Sequence, residues 1–259
     1  MLSYQHGYHA GNLADVHKHA TLASAIHLLT RKEKPLSYIE THSGRGLYDL
    51  TSEFALKTGE AEAGILTVDS RGWFEALHPY TVARRAVQAA HGESAYPGSP
   101  LIAQMLLRSE DRMHLAELHP TEHEALRRCM DRSARVYRED GFKLANRLCP
   151  PTPRRGLILV DPSYERADEY QHIPEFLAHI TGKWNVCVAV LWYPLLQSRA
   201  HQPMIRQLER QFPEGVRHEV SFPAVREGHG LVGSGLFLIR MPFGLERDLD
   251  HLSQRFKEL

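Results

Sequence analysis

A chain of 259 residues can bury a full α/β core, as one large domain or as a core carrying a small insertion, and needs no second independent domain. Hydrophobic residues make up 42% and charged residues 24%, the balance of a soluble globular protein. Lys+Arg and Asp+Glu stand at 31 each, so bulk charge does not attract nucleic acid, and any such contact must use local patches.

The 17 histidines make the surface more basic below pH ~6.5. Cys129, Cys149 and Cys187 are odd in number and have no Cys-x-x-Cys spacing, which argues against a disulfide framework or a zinc knuckle and fits a reducing cytosol. The polar, His-rich start lacks the apolar centre of a signal peptide, and no apolar run approaches the ~20 residues a bilayer needs. A cytoplasmic protein without membrane contact is expected.

Residues 1–11, MLSYQHGYHAG, hold Tyr4, His6, Tyr8 and His9 without any period, the pattern of a loosely packed arm. Over 14–32 the apolar residues Val16, Ala20, Leu22, Ala23, Ile26, Leu28 and Leu29 fall mainly at helical spacing. With Asn12 or Asp15 as cap, this predicts a long amphipathic helix with Lys18 and His19 on its solvated face. After Pro35, residues 36–40 read as the first strand, which runs into Thr41-His42-Ser43-Gly44-Arg45-Gly46. Gly-x-Gly after a strand suggests a loop whose backbone approaches a ligand closely. Asp49, at a position that is small in the dinucleotide fingerprint, argues against a nicotinamide or flavin site.

Between about 50 and 98 the βαβ rhythm breaks. Short helical stretches at 53–57, 61–66, 72–77 and 82–90, separated by Gly and Pro, predict a helical subdomain at 49–98 inserted into a core of 1–48 and 99–259. Arg84-Arg85 reads as an exposed basic pair. In Tyr96-Pro97-Gly98-Ser99-Pro100, Ser99 is placed to cap a helix with Pro100 at its first position. Regular alternation follows: a strand at 113–118 with Glu117 near its end, a helix at 121–130, a strand at 135–138 leading to Asp140-Gly141, and a helix to 148. Leu157-Ile158-Leu159-Val160 is a strand buried on both faces, with Asp161 at its carboxyl end and Pro162-Ser163-Tyr164 stopping it. A helix at 170–180, a strand at 186–192 ending in Tyr193-Pro194, and a helix at 202–212 come next. Strands at 216–222 and 235–241, joined by a loop with Gly228, Gly230, Gly233 and Gly235, predict an antiparallel hairpin before a last helix at 245–259.

Polar groups therefore stand at consecutive sheet ends: His42 with the Gly44/Gly46 loop, Glu117, Asp140 and Asp161. This is the distribution of a Rossmann-like class I methyltransferase fold that uses S-adenosyl-L-methionine. Glu117 can accept both ribose hydroxyls, Asp140 the adenine amino group beside the Gly141 amide, and the glycine loop lets the methionine part lie against main chain. Asp161-Pro162-Ser163-Tyr164 is close to the Asp-Pro-Pro-Tyr signature of enzymes that methylate exocyclic amines of nucleobases. Asp161 and the Pro162 carbonyl would accept the two amine hydrogens and localise the nitrogen lone pair, while Tyr164 stacks on the base. Such a base must be single-stranded or flipped out.

The N-terminal MLSYQHGYHAGNLADVHKH, Thr41-His42-Ser43-Gly44, Tyr96-Pro97-Gly98-Ser99-Pro100-Leu101-Ile102-Ala103 and Ala116-Glu117-Leu118-His119-Pro120 resemble the RlmJ family, as do Asp140-Gly141, the run from Arg154 to Pro162 and Leu191-Trp192-Tyr193-Pro194. That family comprises 23S ribosomal RNA adenine-N6 methyltransferases, earlier linked to use of external DNA as a nutrient. The resemblance implies cofactor contacts from His19, His42, Gly44, Ser99, Glu117, Asp140, Gly141 and Asp161, with Asp161 also at the catalytic centre. It further implies that Tyr4 meets the substrate with His6 and Lys18 nearby, and that the protein is a monomer. Ser163 stands where the family pattern has a second proline, which loosens the turn but keeps the groups that contact the amine.

A DNA adenine methyltransferase would use the same four residues, although nothing in the chain resembles a DNA target-recognition domain. A non-catalytic nucleic-acid-binding protein involved in use of external DNA is a further alternative, as is a metal hydrolase built on His6, His9, His17 and His19. The last lacks a placed carboxylate and a fixed scaffold.

Overall fold

The computed structural model describes residues 6–131, 134–166, 168–224 and 230–259; Tyr4 and Gly228 lie outside them. In chain order the regular elements are α1 (Leu13–Thr30), β1 (Ser37–Glu40), β2 (Leu47–Asp49), α2 (Glu53–Thr58), α3 (Thr67–Ser70), α4 (Pro79–His91), β3 (Ala95–Pro97) and α5 (Ser99–Leu106). They continue with β4 (Arg112–Ala116), α6 (Pro120–Cys129), β5 (Ala134–Tyr137), α7 (Gly141–Leu148), β6 (Gly156–Val160), α8 (Glu169–Lys183), β7 (Cys187–Leu196), α9 (Gln202–Gln211), β8 (Val216–Ser221), β9 (Leu231–Ile239) and α10 (Glu246–Lys257).

Seven strands form one sheet in the order β5-β4-β1-β6-β7-β9-β8. β5 through β7 run parallel, and β9 is antiparallel to both β7 and β8, as the short connection between the last two strands predicted. This is a Rossmann-like α/β fold. The chain leaves β1 for β4 and β5 on one side, then returns to β6 on the other. The crevice between β1 and β6 is thus the topological switch point, where ligands bind in such sheets. Register pairs Glu40 with both Leu115 and Leu159, so the residues just beyond β1, β4 and β6 emerge side by side.

Both faces of the sheet are covered, which is why its central strands read as continuous apolar runs. Along β6, Leu157 and Leu159 join a cluster with Leu22 and Ile26 of α1, while Ile158 and Val160 point the other way to Phe176, Leu177 and Ile180 of α8. A third cluster joins Leu13, Val16 and Ala20 of α1 to Ile65, Trp73, Tyr80 and Phe256. α1 is therefore wedged between the sheet, the 49–98 stretch and α10, and residues 13–26 are all buried. The expected amphipathic helix with Lys18 and His19 in solvent is not found: these side chains are 5% and 1% exposed.

Other local differences have physical causes. Residues 72–77 form turns instead of a helix, because Gly72 adopts a left-handed φ of 60° and ends α3, with the Trp73 amide bonding back to Val68. Gly98, not Ser99, is the N-cap of α5, and the Ser99 hydroxyl is used elsewhere. β7 continues through Pro194 because β6 pairs only as far as Leu191, so beyond it a missing N–H has no ladder to break on that side. Gly233 and Gly235 lie inside β9, where the Tyr193 ring packs over Gly235. β2 and β3, which the sequence did not suggest, pair as a two-stranded antiparallel ribbon at the two ends of the 49–98 stretch.

Candidate active site

A cleft of about 970 Å³ opens at the carboxyl ends of β1, β4 and β6. Of the residues expected there, His6, Lys18, His19, His42, Gly44, Ser99, Glu117, Asp140, Gly141, Asp161, Pro162 and Tyr164 all line it.

Asp161 follows β6 directly, and its Oδ2 accepts a hydrogen bond from Lys18 Nζ at 2.7 Å. Lys18 Nζ also lies 3.2 Å from Asp15 Oδ1 and 5.5 Å from the centre of the Trp192 ring. Asp15 Oδ2 accepts from the Gly11 amide at 2.9 Å and pairs with His6 Nε2 at the same distance. Burial pushes the Asp15 carboxyl up, but His6, Lys18 and His19 together outweigh this and hold it well below the usual carboxylate range. Buried charges persist only when compensated in this way. Tyr164 adopts a left-handed φ of 56°, unusual for a bulky residue, and its hydroxyl donates to the Trp192 carbonyl at 2.8 Å. The turn is thereby tied to β7, with the Tyr164 and Trp192 rings 6.1 Å apart at 61°.

At the other end of the cleft, Glu117 accepts from the Gly44 amide at 2.8 Å and the His119 amide at 2.7 Å. Each carboxylate oxygen keeps a second lone pair for a ligand. Burial pushes the Glu117 carboxyl up, against these two hydrogen bonds. Arg45 forks onto Glu122 with bonds of 2.8 and 3.0 Å, which pins the glycine loop from outside. Asp140 is the N-cap of α7 through its bond from the Lys143 amide. A side chain on Gly141 would strike the Thr41 carbonyl, so glycine alone lets α7 start against the end of β1. His42 is bonded to Thr41 Oγ1 and set edge-on to Phe142 at 5.1 Å, and burial pushes it down to about 4. Ser99 Oγ donates to Glu40 Oε1 at 2.5 Å, while Tyr38 donates to the other oxygen of Glu40 at 2.8 Å. The Ser99 hydroxyl proton is thus given to Glu40, while the residue itself lines the cleft.

Sequence reasoning missed Asp15 and Glu40. Asp15 stands three and four residues before Lys18 and His19 in a helix, the spacing at which side chains meet, and that signal was available. Glu40 ends an apolar strand and carried no comparable signal. The cleft fits S-adenosyl-L-methionine on the structure's own terms. Ser43 Oγ and His119 Nδ1 are buried at its wall without a hydrogen-bond partner among the described residues, and the Glu117 and Asp140 acceptors flank it.

A family model described as "Ribosomal RNA large subunit methyltransferase D, RlmJ" matches residues 33–258. The chain belongs to the RlmJ family. The Escherichia coli K12 protein named ribosomal RNA large subunit methyltransferase J is 37% identical over 97% of this chain and 91% of its own length. The Haemophilus influenzae protein of the same name is 36% identical, covering 97% and 92%. Among solved structures, protein LPL1258 from Legionella pneumophila superposes with a TM-score of 0.86 at 36% identity, over 96% of this chain and 93% of the other. Membership of the RlmJ family thus spans the sheet, the cleft and the 49–98 stretch together.

Proposed function

We propose that the protein transfers a methyl group from S-adenosyl-L-methionine to the N6 amino group of an adenine in 23S ribosomal RNA. The observation that carries this reading is Asp161-Pro162-Ser163-Tyr164, turned at the end of β6 into a cleft that also holds the acid acceptors Glu117 and Asp140 beyond the ends of β4 and β5. When bound, S-adenosyl-L-methionine supplies a methyl group activated by its positive sulfur.

His42, Gly44, Glu117, Asp140 and Gly141 hold the donor, with His19 at its amino-acid end. Tyr164, with Trp192 behind it, gives the adenine an aromatic wall. Lys18 occupies Asp161 Oδ2 and offsets the burial of that carboxylate, so Oδ1 remains for one amine hydrogen while the Pro162 carbonyl takes the other. Asp161 Oδ1 would take up the proton that the amine gives up on accepting the methyl group. Alignment of amine, methyl and sulfur supplies much of the remaining rate. Tyr4, on the arm ahead of His6, completes the substrate side in this reading. Residues 49–98 act as a subdomain inserted into a core of 1–48 and 99–259, and the protein works as a cytoplasmic monomer.

The test is transfer of labelled methyl to unmodified 23S rRNA, beside duplex and single-stranded DNA, with Asp161→Ala as control. Label in N6-methyladenosine of the rRNA, absent in the variant, is expected. Preferential labelling of DNA would move the reading to a DNA enzyme, and donor binding without any transfer to a non-catalytic protein. Ser163 keeps Asp161, the Pro162 carbonyl and Tyr164 in place, so turnover is expected to persist and Ser163→Pro not to lower it.

A further inference from the structure

Two tyrosines from the 49–98 stretch stand behind His19, which lines the cleft. The Tyr80 hydroxyl, on α4, and the Tyr96 hydroxyl, on β3, lie 3.0 Å apart, and Tyr96 Oη lies 3.0 Å from His19 Nδ1. All three residues are buried. Among the described residues, Tyr80 Oη has Tyr96 Oη as its hydrogen-bond partner. The Arg84 guanidinium sits 5.3 Å over the Tyr80 ring and is held by a two-pronged ion pair to Asp69, so Tyr80 is fixed from behind.

Few proton arrangements suit this row. If His19 carried its proton on Nδ1 it would donate to Tyr96, and one of the two phenol protons would be left buried without an acceptor. That is the expensive outcome. If Nδ1 carries a lone pair, Tyr80 donates to Tyr96, Tyr96 donates to Nδ1, and every proton is used. The ring is neutral because burial pushes His19 down to about 3. Its proton then sits on Nε2, on the side of Asp15 Oδ1 at 3.7 Å. His19 also lines the cleft, where an N–H donor suits a carboxylate and not an ammonium group.

We propose that Tyr96, backed by Tyr80, is a positioning residue that holds His19 as its Nε2–H tautomer and so prepares the cleft for the carboxylate of the methyl donor. This rests on reading the cleft as the donor site. It makes the 49–98 stretch part of the cofactor machinery through the Tyr-Pro-Gly-Ser-Pro motif.

The experiment is nitrogen NMR of the full chain labelled with 15N-histidine, the His19 signals assigned by their loss in His19→Asn. Calorimetric titration with S-adenosyl-L-methionine accompanies it. In the wild type, His19 is expected to carry its proton on Nε2. Tyr96→Phe is expected to keep the fold, move the Nδ1 signal to that of an unbonded ring nitrogen, and weaken donor binding about five- to tenfold, the worth of one hydrogen bond. At saturating donor its kcat should stay near wild type. A proton on Nδ1 in the wild type, or wild-type affinity in Tyr96→Phe, would overturn the proposal. If Tyr96→Phe fails to fold, the wild-type tautomer alone decides. Wild-type protein that binds no S-adenosyl-L-methionine would instead overturn the reading of the cleft, whichever nitrogen is protonated.

Discussion

Gly141→Ala adds one carbon where two backbone segments nearly touch. An ideal Cβ at this position would lie 1.8 Å from the Thr41 carbonyl oxygen and 2.4 Å from its carbonyl carbon. A tolerable contact needs about 3 Å, so the two backbones must part by more than about 1 Å. Thr41 cannot yield readily, since its amide bonds the Leu159 carbonyl at 3.1 Å in the centre of the sheet. The displacement therefore falls on the start of α7, which carries Asp140 as its cap and Phe142 against His42. Overpacking of this kind costs about 1–3 kcal/mol, or roughly 3–10 °C in Tm for a chain of this size. Because the shift moves the residues proposed to hold the adenine end of the donor, affinity for S-adenosyl-L-methionine is expected to fall by up to about tenfold for each hydrogen bond lost. The control is Gly182→Ala, in α8, where an added Cβ meets nothing within 4 Å and stability should rise slightly. Thermal unfolding and calorimetric titration read both variants. A Gly141→Ala protein with wild-type Tm and affinity would refute the reasoning.

Lys18→Met leaves the buried Asp15 and the half-buried Asp161 without their shared cation, and is expected to cost about 3 kcal/mol by denaturant unfolding and to abolish methyl transfer. Adding Asp161→Asn to that variant should recover part of the stability and none of the activity. Burial pushes His42 down to about 4 and His19 to about 3 in the native state, against about 6.5 when unfolded. The unfolded chain thus binds more protons between these limits, so stability is full above pH ~6.5 and falls toward pH 4, by about 1.4 kcal/mol per pH unit for each such group. Unfolding curves at several pH values check this, and His42→Asn should flatten the slope by about one proton. Burial pushes Glu40 up to about 8 against its bonds from Ser99 and Tyr38. An acid raised in this way contributes stability that is full below about pH 4.5 and lost as pH rises toward 8, so Glu40→Gln should make stability less dependent on pH over that range.

The sheet was legible because its central strands are buried on both faces, so that Leu157 to Val160 read as a short unbroken apolar run bounded by Gly156 and by Asp161-Pro162. Glu117 and Asp140 were legible as ends of successive strands. α1 was not, because the rule that charged residues face water fails when they satisfy one another. Asp15, Lys18, His19 and His6 form such a group, and apolar partners from three directions cover the rest of the helix. The β2–β3 ribbon escaped notice for a different reason. Three-residue strands have no measurable period, and their pairing joins Tyr48 to Tyr96 across the whole helical stretch. Tyr80 carried no signal in the sequence, and only the fold brings it within reach of Tyr96.

The burial of α1 also bears on how the chain reaches its native state. His17 bonds Ser234, 217 positions later, and His218, while α1 packs on β7, β9 and α10. During synthesis this helix leaves the ribosome long before any of those partners exists, and the earlier-made α4 and α5 cover only part of its apolar surface. Its completion waits on the most distant pairings in the fold, which are slow to close. A ribosome stalled before β9 would display a sticky, catalytically empty intermediate suited to capture by chaperones, and methyl-transfer competence would arise only after the last strand is released.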